Sequence, residues 1–186
     1  DLLETVVDLT PNEISKGVDP LLKLGFLQST SRNPDNENLL HFSNEIMREV
    51  VIKEASDVQL QILHRQIAQR MASNSHYGEK AAIIANHYLL GGDKKQAFDW
   101  LLQAADHAWI LGAKAETHNA YQQAEKLLDN PPNGFFKEED ILKLYQEWGE
   151  FAYQSNQSDL LEQTGIKLQY YGNKAKNPSL IGSAKI

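Results

Sequence analysis

The residues best suited to chemistry in this 186-residue chain are its six histidines and a few close-set carboxylates. The histidines are His41, His64, His76, His87, His107 and His118. No two stand four apart on one helix, the simplest way to aim two imidazoles at one metal ion. His64 and His87 fall within apolar helical patterns, where packing or a hydrogen bond in the core is the expected role. Glu138, Glu139 and Asp140 form a tight acidic cluster in the first turn of an expected helix, where negative charge complements the helix dipole. Glu45 and Glu49 lie one helical turn apart beside Arg48, the pattern of ion pairs on a solvated face. The chain has no cysteine, which excludes disulfides, thiolate metal sites and thiol nucleophiles. It contains no G-x-x-x-x-G-K-[ST] run, no H-E-x-x-H and no G-x-S-x-G. No acid, base and nucleophile converge. The sequence therefore assigns no catalytic, cofactor-binding or metal-ligating residue, and no enzyme is expected in this chain.

The elements that carry these residues read as helical nearly throughout. Hydrophobic residues make up 41% and charged residues 23%, the composition of a globular chain. The longest apolar stretches, such as residues 108–113, fall far short of the ~20 residues a membrane helix needs. Thr10-Pro11-Asn12-Glu13 is a helix start with a capping box and Pro in the first turn. The helix runs to Gly25, and Pro20 inside it predicts a kink or a split. Residues 26–29 and 39–42 read as short strands around the polar loop at 30–38. A helix from Ser43 or Asn44 to about Ala55 follows, then one from Asp57 to about Met71, introduced by Ser56 and Gln59 as a second capping box. Residues 73–78 read as a polar linker. Helix, hairpin, helix is the order of a winged helix-turn-helix.

From Glu79 onward the pattern is helix–turn–helix, with breaks at Gly91-Gly92-Asp93, Gly112 and residues 129–134. Further helices are expected at about 113–129, 137–155 and 159–171, with residues 172–186 starting another pair. Residues 94–111 are apolar on nearly every face, which requires neighbours on both sides. Leu101, Ala104, Ala105, Ala108, Gly112, Thr117, Tyr121 and Ala124 have the large–small, turn-Gly, small–aromatic–small spacing of a tetratricopeptide repeat. Ala81, Ile84, Ala85, Tyr88, Gly92, Ala97, Leu101 and Ala104 repeat it only 20 residues away, not the usual ~34, so one helix serves both registers. A third register through Trp148, Gly149, Ala152, Leu161 and Leu168 has Asn156 in place of the turn Gly and Gly165 in place of the aromatic. Stacked hairpins of this kind leave an inner groove. In this register Asp99, Leu102, Asp106 and Trp109 on one helix, and Lys143, Gln146, Glu150 and Tyr153 on another, face it. Aromatics among polar residues suit a peptide or a partner helix; the plainer role for Trp109 is packing against the next helix.

Charge argues against nucleic acid. The net charge is −7, whereas phosphate binding runs on Lys and Arg. Residues 1–56 hold ten Asp and Glu against five Lys and Arg. The helix entering a groove would carry Glu13, Lys16, Asp19 and Lys23, with no net charge, and the wing offers Arg32 against Asp35 and Glu37. A structural winged helix is favoured over a DNA-binding one. The Asn156-Gln157-Ser158 sequon is read as a helix start.

Taken together, the chain resembles the multidomain signal-transducing ATPases in which a nucleotide-binding domain precedes a winged helix and tetratricopeptide-like repeats. The ATPase halves accompanying bacterial adenylate and guanylate cyclases, and large transcriptional regulators, are the most similar. The stretch from Leu40-His41-Phe42 through Arg48-Glu49-Val50, followed by Leu63-His64-Arg65, carries the resemblance, with His87-Tyr88-Leu89 and Gly92-Asp93. Asn44 and Ile52 depart from the His and Tyr common there. The implied fold is mainly α: a winged helix with a small β-hairpin at residues 1–56, a connecting helix and linker at 57–78, and tetratricopeptide-like α–α superhelical repeats at 79–186. The implied role is that of a non-catalytic regulatory region binding a protein, a peptide or a neighbouring domain, without cofactor and without membrane; the alternative is a DNA-binding winged-helix transcription regulator. The chain opens without Met and closes inside a helical pattern, so a piece of a longer polypeptide is expected. No basic-then-apolar leader opens it, and a cytoplasmic setting is expected.

Overall fold

Local capping fixes most of the element boundaries. The Thr10 N–H donates to Glu13 Oε2 at 2.8 Å and the Glu13 N–H to Thr10 Oγ1 at 3.4 Å, the reciprocal box that starts helix α1 (Pro11–Lys23). Strands β1 (Leu27–Ser31) and β2 (Asn38–Phe42) follow. Asn44 accepts from the Ile46 N–H to start α2 (Glu45–Glu54), and Ser56 with Gln59 starts α3 (Asp57–Ala72). After a 3-10 turn (Gly78–Lys80) come α4 (Ala81–Leu90), α5 (Lys94–Ile110), α6 (Lys114–Leu128), α7 (Glu138–Gln154) and α8 (Ser158–Lys174). The computed structural model describes residues 9–31, 38–73, 78–128 and 136–174. Residues 1–8, the centre of the hairpin loop, the middle of the linker, the 129–134 loop and most of the expected last helix pair lie outside them.

Four of these helices end in one way. In each, the N–H two residues past the cap returns to the carbonyl five residues earlier: Phe26 to Leu21, Asp93 to Tyr88, Ala113 to Ala108 and Gln157 to Ala152, all at 2.8–2.9 Å. The residue between takes a left-handed backbone: Gly25, Gly92 and Gly112 at φ 74–77°, and Asn156 at φ 59°. This is the Schellman closure. Asn156 therefore occupies the same turn as the glycines, because Asn tolerates the left-handed region better than other side chains.

Two expectations need correction. Helix α1 is not split at Pro20 but runs unbroken across it. The proline forfeits one bond, to the Lys16 carbonyl, and both residues lie on an exposed face open to solvent. The first strand starts at Leu27, not Phe26, because the Phe26 N–H is used in the α1 closure. The hairpin is antiparallel, pairing Leu27 with Phe42 and Thr30 with Leu39.

The chain is mainly helical, with one small two-stranded sheet among the described residues. Consecutive helices pack on one another: α3 on α4, α4 on α5, α5 on α6, and α7 on α8, with a narrower contact between α6 and α7. As its composition requires, α5 is sandwiched, burying Ala97, Phe98, Trp100, Leu101, Leu102, Ala104 and Ala105. Small residues set the spacing. Ala97, Ala105 and Ala124 are fully buried, and a Cβ on Gly149 would stand 3.3 Å from Thr164 Oγ1 of the next helix. The core continues through Tyr121, Leu144, Tyr145, Trp148 and Phe151. By contrast, no described residue of α1, α2 or the hairpin is buried.

Candidate functional site

The narrow contact between α6 and α7 leaves a cleft of about 320 Å3 among α5, α6 and α7. Its floor is aromatic. Trp109 meets Phe151 edge-on, with ring centroids 5.2 Å apart at 87°, and Tyr121 lies 6.1 Å from Phe151. Tyr121 and Phe151 are buried and Trp109 half-buried. Its rim is charged: Asp106 from α5, and Lys143, Glu147 and Glu150 from α7. Lys143 Nζ stands 3.7 Å from Glu147 Oε1. Burial lifts the Glu147 carboxyl above its ordinary range, and Asp106 and Glu150 lift it further while Lys143 opposes them. Burial likewise pushes the Tyr121 phenol well above its ordinary value, and the same three carboxylates add to it. Tyr121 is only 5% exposed. It lines the cleft, and its hydroxyl hydrogen-bonds to no group among the described residues.

Of the residues expected on an inner groove, Leu102, Asp106, Trp109, Lys143 and Glu150 meet in this cleft. Leu102 is a buried wall there, not an accessible contact. Trp109 packs edge-on against Phe151 of α7, two helices on, and lines the cleft. Asp99 lies outside it, paired with Lys95 at 2.6 Å, and Gln146 and Tyr153 are exposed elsewhere on α7. Gln103, Tyr121, Glu147, Phe151 and Gln154 line the cleft and escaped the sequence reading. The missed signal is a rotation of one residue. On α7 the cleft uses 143, 147, 150 and 154, a stripe at spacings of four, three and four. The expected set, 143, 146, 150 and 153, follows the neighbouring stripe at three, four and three. With about 100° per residue, that difference turns Gln146 and Tyr153 to a neighbouring face.

A second cavity of about 650 Å3 lies between α6 and the start of α8, lined by His118, Gln122, Trp148, Asp159, Gln163 and Lys167 among others. His118 Nδ1 and Trp148 Nε1 are both buried there without a hydrogen-bond partner, and their rings lie 5.5 Å apart. Beside it, Glu125 joins three helices, accepting from the Tyr145 hydroxyl at 2.9 Å and pairing with Lys167.

The remaining chemistry-capable residues are held structurally. His64 and His87 share a hydrogen bond between their Nδ1 atoms at 2.9 Å across α3 and α4. Asp140 closes the α7 start, accepting from the Lys137 N–H at 3.0 Å, and pairs with Lys95 at 3.3 Å. Arg48 pairs with Glu45 on an exposed face. Among the described residues no three His, Asp or Glu converge on a point that could hold a metal ion, and no helix is long and apolar enough to cross a membrane. Comparison with family models, with curated proteins and with solved structures finds no match for this chain.

Proposed function

We propose that this chain is a non-catalytic protein-interaction region of a signalling ATPase or cyclase-type regulator, whose helices bind a peptide, a protein or a neighbouring domain. In this reading residues 1–56 form a structural winged helix, residues 57–78 connect, and residues 79–186 form tetratricopeptide-like repeats working in the cytoplasm. The shared helix closures and the sandwiched α5 support the repeat assignment. The parental ATPase rests on the sequence resemblance.

The cleft of α5, α6 and α7 carries the binding reading. It combines aromatic side chains, open polar groups and a Tyr hydroxyl that hydrogen-bonds to no group among the described residues. Buried aromatics ringed by polar residues are the usual energetic centre of a protein contact. An extended or helical segment laid across α5 and α7 would bury Trp109 and give Tyr121 a partner.

The test is to pan a displayed peptide library on the immobilised chain, wild type against Trp109→Ala. Peptides enriched on the wild type and lost on the variant are expected. Enrichment that survives Trp109→Ala, or none at all, overturns the cleft as the binding site.

A further inference from the structure

Several carboxylates of α5, α6 and α7 outside the cleft have cations or donors. Asp99 and Asp140 share Lys95, and Glu125 holds Tyr145 and Lys167. The cleft is different. Asp106, Glu147 and Glu150 surround it with a single ammonium, Lys143, which lies against Glu147. Glu150 accepts from Gln154 Nε2 at 3.0 Å, a neutral partner. Two negative charges therefore remain uncompensated around a cavity floored by Trp109, Tyr121 and Phe151. Tyr121, a side chain more than nine-tenths buried, lines that cavity, and its hydroxyl has no hydrogen-bond partner among the described residues.

We infer that the cleft receives a basic side chain of the docked polypeptide: an arginine or lysine enters between Asp106, Glu147 and Glu150 with its aliphatic stem along Trp109 and Phe151. This rests on the reading of the cleft as a polypeptide-docking site. A cation there gains the carboxylates, an acceptor oxygen on Tyr121 and the electron-rich face of an aromatic ring. Arginine suits it best, because a planar guanidinium can bridge two carboxylates and stack on a ring at once. The half-buried Glu147 makes such a pair stronger than an exposed surface bridge, since less water competes. The carboxyl of Glu147 is already held above its ordinary range by burial, with Asp106 and Glu150 adding to it; an incoming cation relieves that strain. Lys143 is the internal competitor.

The experiment is calorimetric titration of the intact 186-residue chain with a capped arginine–glycine peptide and with its citrulline counterpart, which keeps the shape and loses the charge. The arginine peptide is expected to bind, and the citrulline peptide to bind about tenfold or more weakly, the equivalent of roughly 1.4 kcal/mol. Glu147→Gln with Glu150→Gln is expected to weaken the arginine peptide by about 10- to 100-fold. Glu138→Gln with Glu139→Gln, an equal change of net charge at the far end of α7, is expected to leave it within about twofold. Circular dichroism of each variant checks that the helices persist. Equal binding of both peptides, or equal weakening by both variant pairs, overturns the inference. Displacement of the arginine peptide by spermidine at matching affinity also overturns it, because the cleft would then take any free polycation. Panned peptides that are neutral, need Trp109 and outcompete arginine peptides defeat this inference and leave the docking reading intact. If no peptide of either kind binds, both fall.

Discussion

Helix α1 and helix α7 close with the same turn, and each is capped at its start, α1 by the reciprocal box of Thr10 and Glu13 and α7 by Asp140, which accepts from the Lys137 N–H. Their apolar residues are also well segregated to one side. Yet α7 buries Leu142, Leu144, Tyr145, Trp148, Phe151 and Ala152, while α1 buries none. In α1 the stripe Ile14, Val18 and Leu22 is only half-covered, and Leu24 remains 70% exposed. The difference lies in the second layer. Helix α7 has α8 along its length and aromatic contacts from α5 and α6; α1 has a five-residue strand, and α2 touches only the other strand of the pair closely. Caps contribute about 1 kcal/mol each, whereas burying one large apolar side chain contributes about 1.5–3 kcal/mol. Local signals thus make a helix, but a facing layer makes it part of a core.

The largest expected effect tests this directly. Phe98 is fully buried in α5, 5.1 Å ring-to-ring from Phe136. Phe98→Ala removes those contacts and leaves a cavity, costing about 3–5 kcal/mol. Val18→Ala, on the half-covered stripe of α1, is expected to cost about 1 kcal/mol or less. Urea unfolding of both variants followed by circular dichroism measures the two. Equal costs would mean that α1 is as tightly packed as α5 and would break the comparison.

Next comes the joint at which the helical array begins. Gly91 ends α4 where α3 crosses it: a Cβ there would stand 3.0 Å from the Arg65 backbone nitrogen, and Arg65 itself donates to the Gly91 carbonyl at 2.8 Å. Gly91→Ala forces backbone apart and is expected to cost about 1–3 kcal/mol, read as a lower urea midpoint. Gly92 is required for another reason. Its surroundings are open, but its φ of +77° suits glycine.

Much of this was legible in the chain because the signals are local. Thr10 with Glu13 and Ser56 with Gln59 announced their caps, and the all-round apolar composition of α5 announced neighbours on two sides. The closing turn of α7 was harder, since Asn156 has a side chain and was read as a missing glycine. The cleft was half legible. Asp106, Trp109, Lys143 and Glu150 followed from periodicity, but the choice between residues 146 and 147 depends on how α7 is rotated against α5, which tertiary packing decides. Tyr121 was read as the aromatic of the repeat pattern; that it also lines the cleft is a property of the narrow α6–α7 contact, with no sequence signature. The lack of burial among the described residues before 56 was equally invisible, because an apolar stripe reads the same whether or not something covers it.

A smaller effect separates the joint from the cleft by pH. The His64–His87 bond joins α3 to α4. Burial depresses the His87 pKa, and His64 adds to it. A depressed base contributes stability that is present above its ordinary value near 6.5 and is lost as pH falls through the folded value. Glu147 has the opposite sign: its raised carboxyl contributes stability present below 4.5 and lost as pH rises through the folded value. Melting curves across pH 4–8, a range of roughly the two ordinary values, should therefore lose the acid-side decline in His87→Phe and the rise toward acid in Glu147→Gln. His87→Phe with an unchanged profile would remove the histidine bond from the stability of the joint.

The smallest change asks whether the two regions share stability at all. Gly17 sits inside α1 with nothing within 4 Å of an added Cβ. Gly17→Ala should stabilise that helix by roughly 0.5–1 kcal/mol, by restricting the unfolded chain. Amide exchange in the regime that reports opening equilibria would slow by about two- to fivefold across α1. If α1 opens on its own, exchange in α5 stays as it was. If exchange in α5 slows by the same factor, the exposed hairpin module and the packed helices unfold as one unit. The absence of buried residues among those described before Ala55 would then describe the surface of a single cooperative structure, and not a region of lower stability.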